Sequence, residues 1–229
     1  KNDDCPAWSM KSKKITHDKE KRQLIYDNSI LNLYNVPVFY FPKFFHPDPT
    51  VKRQSGFLRP QLNSSKTLGT SFYLPYYHVI SDNKDYTFKP QIFDSEIEMF
   101  QNEYRQVNKN STFIADFGIT SGYQSSLTGS NRNSIGHLFS KFDIDLNFED
   151  YSKSELNFKF ESVTNDTFLK VFQNNLIDSS VKPGSSSLNS GFKLILDHED
   201  HNFDAGMQVY ETLSGAESDR YQYEFPYYS

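Results

Sequence analysis

The densest group of reactive side chains in this sequence is Asp197-His-Glu-Asp-His201, with two imidazoles and three carboxylates in five residues. Neutral imidazoles ligate borderline metals, and clustered carboxylates attract hard cations. His198 and His201 stand three apart, so they share a metal only if the segment is a helical turn. The flanks alternate as strands do, so the segment reads first as a solvated hairpin turn and second as a divalent-ion site. Asp143 and Asp145, beside Glu149 and Asp150, are the nearest approach to an acid pair for general acid–base work. Their alternation with Phe142 and Ile144 makes them a polar row on one strand face. No G-x-S-x-G, H-E-x-x-H or phosphate-cradling glycine loop occurs. Asn110-Ser-Thr matches a glycosylation acceptor, a pattern short enough to arise by chance. The chain reads as a non-enzyme with no cofactor and no metal centre.

Elements rather than reactive groups carry the information. The chain has 229 residues, with 21 Phe, 15 Tyr and one Trp. Ser, Asn and Asp are abundant as well, a mix that favours strands joined by polar turns. From Gly56 onward, segments of about ten residues recur with period-two alternation. Phe142, Ile144, Leu146 and Phe148 share one face, while Asp143, Asp145 and Asn147 share the other. Further strands are expected at 56–63, 69–80, 86–93, 96–106, 112–121, 156–160, 188–196, 203–209 and 221–225. That makes about ten, joined as consecutive hairpins, with a helical turn open at Asp166–Phe172. A soluble sandwich or small barrel fits this pattern, and so does part of a large transmembrane barrel. Strand length favours the barrel, because a tilted bilayer crossing takes about 9–11 residues.

Residues 1–50 are organised differently, as short apolar runs ending in Pro37, Pro42, Pro47 and Pro49. His46–Thr50 reads as an extended linker, because residues before proline are pushed from helical geometry. Pro60 and Pro75 fall inside segments that otherwise look like neighbouring strands. Proline brings no N–H to a ladder, so these two mark a weak seam. A hairpin turn centred on Thr67-Leu68 places them directly opposite each other.

Net charge is −5, which argues against a nucleic-acid partner. The local exception is Lys11, Lys13, Lys14, Lys19, Lys21 and Arg22, read either as a solvated strand edge or as a site for anionic lipid headgroups. The single cysteine, Cys5, excludes an internal disulfide. The chain shows no initiator Met or signal peptide and ends inside an apparent strand, so a fragment is expected.

Four linked motifs then meet a known family: Cys5-Pro with Trp8, Ile15 and Asp18; Val36-Pro-Val-Phe-Tyr-Phe-Pro42; Arg53-Gln-Ser-Gly-Phe-Leu58 with Pro60; and Leu74-Pro-Tyr-Tyr77. In content, order and spacing they resemble LptD, the lipopolysaccharide-assembly or organic-solvent-tolerance family of outer-membrane proteins. The resemblance is dense over residues 5–93 and thins beyond. It implies an all-β chain: residues 1–45 as the last rungs of a periplasmic β-jellyroll, 46–55 as linker, and 56–229 as the first antiparallel strands of a large, here incomplete, outer-membrane barrel. It implies lipopolysaccharide as cargo, LptA as the periplasmic bridge that delivers it and LptE as a plug in the lumen. Val36, Val38, Phe39 and Phe41 would meet acyl chains. Pro60 and Pro75 would weaken a lateral gate, and Arg53, Ser55, Gly56 and Phe57 belong to the family signature. Cys5 would bond to a cysteine beyond this chain; no second N-terminal cysteine is present. A porin or receptor barrel is the first alternative, and a soluble β-sandwich that binds glycans the second.

Overall fold

The computed structural model describes residues 8–33, 35–51, 53–124, 133–177, 179–184, 187–214 and 219–228. Cys5 lies outside them. The described chain is all-β apart from one short helix and a 3-10 turn, and it divides into two units, Lys1–Gln54 and Ser55–Ser229.

The first unit holds a three-stranded antiparallel sheet of β1 (Trp8–Asp18), β2 (Gln23–Leu33) and β3 (Val36–Pro47). Asp18 closes the first hairpin by accepting the Glu20 and Lys21 amides at 3.1 and 3.0 Å, and Arg22 takes a positive φ of 49°. The second hairpin turns at Asn35, with φ 67°. Pro37, Pro42 and Pro47 are tolerated because β3 pairs on one side only among the described residues. β3 runs through His46 and Pro47, two residues into the expected linker.

In the second unit, a twelve-piece antiparallel sheet follows chain order. It comprises β4 (Gly56–Phe57), β5 (Gln61–Ser65), β6 (Gly69–Tyr73), β7 (Tyr76–Ser81), β8 (Lys84–Phe93), β9 (Glu98–Val107), β10 (Ser111–Tyr123), β11 (Asn133–Asp145), β12 (Lys153–Val163), β13 (Ser187–Asp197), β14 (Asn202–Thr212) and β15 (Tyr221–Tyr228). β6 and β7 pair with β8 in one continuous register, and β4 and β5 run along β7 and β6. The twelve pieces therefore make ten hairpin-connected lines, of which eight are single strands of 8–13 residues.

One expected alternation stops early. β11 ends at Asp145, and Leu146 to Phe148 belong to a turn in which Asn147 has φ 50° and Leu146 N–H bonds Ser154 O at 2.8 Å. Asp145 is the reason: its carboxylate accepts the Asn147 amide at 3.0 Å, a local bond that competes with the ladder.

The two faces of this sheet differ in kind. One carries Phe72, Ile92, Phe100, Phe117, Ile119, Leu138, Phe158, Phe192 and Met207, all substantially exposed; Ile119 is 60% and Ile92 57% exposed. These residues meet across the ladder, as in Phe72–Ile92, Phe100–Ile119, Phe158–Phe192 and Phe192–Met207. Gln91, Gln101, Asp116 and His137 lie on the other face and are buried. The long β12–β13 connection, which contains α1 (Phe168–Phe172) and a 3-10 turn at Gln173–Asn175, packs on this face: Gln101 bonds Asn175 O and the Ile177 amide, and the His137 ring lies 5.1 Å from that of Phe168. Phe168, Leu169 and Phe172 are fully buried with Met99 and Phe139, and Ile135 is buried beside them in the core of the unit.

Candidate functional site

The first two strand lines are broken at the prolines. Residues 58–60 separate β4 from β5, and Leu74-Pro75 separates β6 from β7. A three-residue turn at 66–68 sets Gln61 opposite Tyr73, so Pro60 comes level with Leu74 and not with Pro75. Beyond the break Phe57 pairs Tyr76, a register shifted by one residue. Three residues on the first line thus face two on the second, which is the arithmetic of a β-bulge. The expected direct opposition of the prolines is corrected accordingly: both stand in the interruptions, one step out of register.

Strand alternation tells where each missing donor would point. Asp94 N–H bonds Thr70 O at 2.9 Å, so the even residues of β6 face β8 and the odd ones face β5. Leu58 N–H donates to Pro75 O at 2.8 Å. The return bond, from residue 75 to Leu58 O, is the one Pro75 cannot make. Pro60 precedes Gln61, whose backbone faces β6, so the Pro60 nitrogen turns to the opposite side, the outer margin of the sheet. A third proline joins them. Pro90 lies within β8, level with Leu74 in the β6–β8 register, and removes the donor that Leu74 O would accept. Sequence reading missed Pro90; its signal was the recurrence of proline at 60, 75 and 90.

Ser55, Gly56 and Phe57 make the first contacts of the seam. Ser55 Oγ accepts the Val79 amide at 2.8 Å, Gly56 pairs Tyr77, and the Phe57 and Tyr76 rings meet edge to face at 5.1 Å. Arg53 lies among the residues leading into them.

On β3 the four apolar residues are exposed or half-buried, with Val36 at 60% and Phe39 at 64%. The register shifts between Leu31 and Asn32: Leu31 pairs Phe39, Asn32 pairs Pro37 and Leu33 pairs Val36. Val38 is the extra residue of this bulge. The bulge puts Val36 on the same face as Phe39 and Phe41, which simple alternation would forbid. Phe39, Phe41, Phe44 and Tyr26 form a chain of rings with centroids 5.8–6.2 Å apart.

The covering segment is held by polar contacts far apart in sequence. Lys89 Nζ and Gln101 Nε2 both donate to Asn175 O, at 2.9 and 2.7 Å, and Gln101 Oε1 accepts the Ile177 amide at 2.7 Å. His137 Nε2 meets Asp116 Oδ1 at 3.0 Å, and its ring stacks on Phe139 at 4.8 Å. Gly118 makes this possible, because a Cβ there would come within 2.8 Å of the His137 ring. Arg220 forks between Asp166 and Glu211. Those bonds, Glu211 first and Asp166 second, hold its guanidinium above its ordinary pKa. The polar face continues over β11–β14 as a groove of about 430 Å³ lined by Lys141, Lys153, Lys159 and Lys193.

Chemistry is sparse. The His198 and His201 rings stack at 4.6 Å with Tyr151 set edge-on, and no group of three metal-ligating side chains occurs among the described residues. Asp143 lines a groove on the polar face and accepts a bond from Asn157 at 2.8 Å.

No family model matches the chain. Among curated proteins it is similar to "LPS-assembly protein LptD" of Polaromonas sp., 35% identical over 100 residues that make up 44% of this chain and 12% of the relative. Its likeness to the protein of the same name from Yersinia pestis bv. Antiqua is 35% over 99 residues, 43% of this chain and 13% of that one. The Legionella pneumophila strain Paris protein of that name is 28% identical over 178 residues, covering 74% of this chain and 21% of the relative. The matched region thus spans between 12% and 21% of these relatives' length. The chain is related to the LptD proteins over that region, and they are named for an assembly process, not a reaction.

Proposed function

We propose that this chain is part of a lipopolysaccharide-assembly protein of the outer membrane, with Ser55–Ser229 as barrel strands. One observation carries the membrane reading: the sheet exposes its apolar face, while its other face holds the buried core and the polar grooves. In water this would leave a row of exposed apolar side chains of the kind that marks a membrane or partner surface. In a bilayer it is the stable arrangement, with the polar face toward the lumen. The similarity to proteins named LPS-assembly protein LptD supplies the cargo.

In this reading residues 1–45 end a periplasmic jellyroll, joined by 46–55 to the barrel. Val36, Phe39 and Phe41, with Val38 at the bulge, form a surface for acyl chains. Each buried CH₂ contributes about 0.8 kcal/mol, so a chain resting there is held without specific chemistry. Pro60 and Pro75 lower the cost of parting the first strand from its neighbours, since an unpaired backbone N–H in lipid costs several kcal/mol and these positions have none to lose. LptA would deliver the cargo and LptE fill the lumen. Cys5 would bond to a cysteine outside this chain and tie jellyroll to barrel in an oxidising compartment.

The test is photo-crosslinking in the complete protein, with a reactive side chain at Phe39 and at Phe57. The reading expects adducts with lipopolysaccharide at both positions, reduced at Phe57 when Pro60 and Pro75 are both alanine. A protein that conducts ions in a planar bilayer yet gives adducts at neither position is a porin-like barrel, and the transport reading fails.

A further inference from the structure

The β1–β2 hairpin presents Lys11, Lys13, Lys14, Lys19, Lys21 and Arg22, all exposed, and none forms an ion pair with a described residue. Three carboxylates share the hairpin, and Asp18 is occupied with the turn's own amides. Outside it, Asp48 is taken up as well. Its carboxylate accepts from Thr50 N–H and Oγ1 at 2.8 Å each and meets His17 Nε2 at 2.6 Å. Against those three carboxylates the six cations leave the hairpin three positive charges in excess, in a chain whose net charge is −5. Such a concentration against the overall charge is a long-range attractor for anions.

The hairpin tip is also anchored. Asp48 N–H bonds Arg22 O at 2.9 Å, and Gln23 pairs Pro47. From that point the chain runs through residues 49–55 into the first strand of the second sheet. The tip is thus bonded to the start of the connection that leads into strands we read as membrane-spanning.

We propose that the β1–β2 hairpin tip is a docking surface for the anionic phospholipid headgroups of a bilayer. Lysine and arginine suit it, since their charge is fixed and their long stems reach headgroup phosphates from a rigid hairpin. The place of this surface rests on the barrel reading, but its chemistry does not.

Flotation of the full chain with preformed vesicles tests both readings separately. Binding to neutral phosphatidylcholine vesicles reports the barrel strands. The added binding with 30% phosphatidylglycerol reports the hairpin. In a Lys19→Gln/Lys21→Gln/Arg22→Gln variant the added binding should fall by about fivefold for each charge removed, the equivalent of about 1 kcal/mol per charge. A Lys66→Gln/Lys109→Gln control, altered on turns of the second unit, should keep it. Half-molar salt should abolish the increment, because the interaction is screened within about 4 Å at that strength, and 10 mM inorganic phosphate should not compete. The proposal is overturned if the triple variant retains the increment, if the control loses as much, or if free phosphate abolishes it, which would assign the site to a soluble anion.

Discussion

Replacing Pro75 by alanine restores one donor at a known place. Residue 75 already accepts from Leu58 N–H at 2.8 Å, so an alanine N–H there meets Leu58 O and completes the pair. A net hydrogen bond is worth about 1 kcal/mol, and measured values inside membranes are of the same order. The opening equilibrium between the first two lines should fall by about fivefold. Pro60 differs, because its nitrogen turns to the outer margin and Pro60→Ala offers β6 and β7 nothing. Hydrogen exchange of the protein in nanodiscs, read at the amides of Leu58 and Val79, separates the two. Val79 N–H is the donor to Ser55 Oγ in the same seam. Pro75→Ala should slow both amides about fivefold, and Pro60→Ala should leave both unchanged while slowing lipid export in the complete protein. If Pro60→Ala protects Leu58 as strongly as Pro75→Ala does, the assignment of facing directions is wrong and the seam is not organised as described.

Other changes test the covered face and the first unit. Gln101→Leu strips the Ile177 amide of its acceptor and should cost about 1–3 kcal/mol, seen as a lowered urea midpoint with an unchanged slope. Gly118→Ala drives a Cβ to 2.7 Å from Phe100 O and 2.8 Å from the His137 ring. It should destabilise by about 1–3 kcal/mol, read in the same titration, while Gly56→Ala, with open space around its Cβ, should not. Asp48 titrates below its ordinary 3.8, through the Thr50 amide first, then the Thr50 hydroxyl and His17. A depressed carboxyl stabilises the fold above 3.8, and that contribution is lost as pH falls through the lowered value. The Thr50 amide should therefore stay protected at pH 5 and become exposed to exchange well below pH 3.8; Asp48→Asn should flatten that dependence.

Much of this protein is legible in the residues alone. Side chains alternate with a period of two on any strand, so Phe142–Asp145 and Tyr221–Phe225 declare their faces before any neighbour is known. Proline lacks its N–H wherever it stands, so Pro60 and Pro75 announce a defect in pairing without coordinates. The direction of that defect was beyond reach. A one-residue bulge at 58–60 and another at Val38 decide which residues face each other, and a bulge depends on how two strands meet. The cover over the polar face was hidden for the same reason. Lys89, Gln101, Asn175 and Ile177 are scattered along the chain, and only the sheet brings Lys89 and Gln101 level so that one carbonyl can take both. Local sequence fixes what a strand offers on each side; pairing across long separations decides what those offers meet.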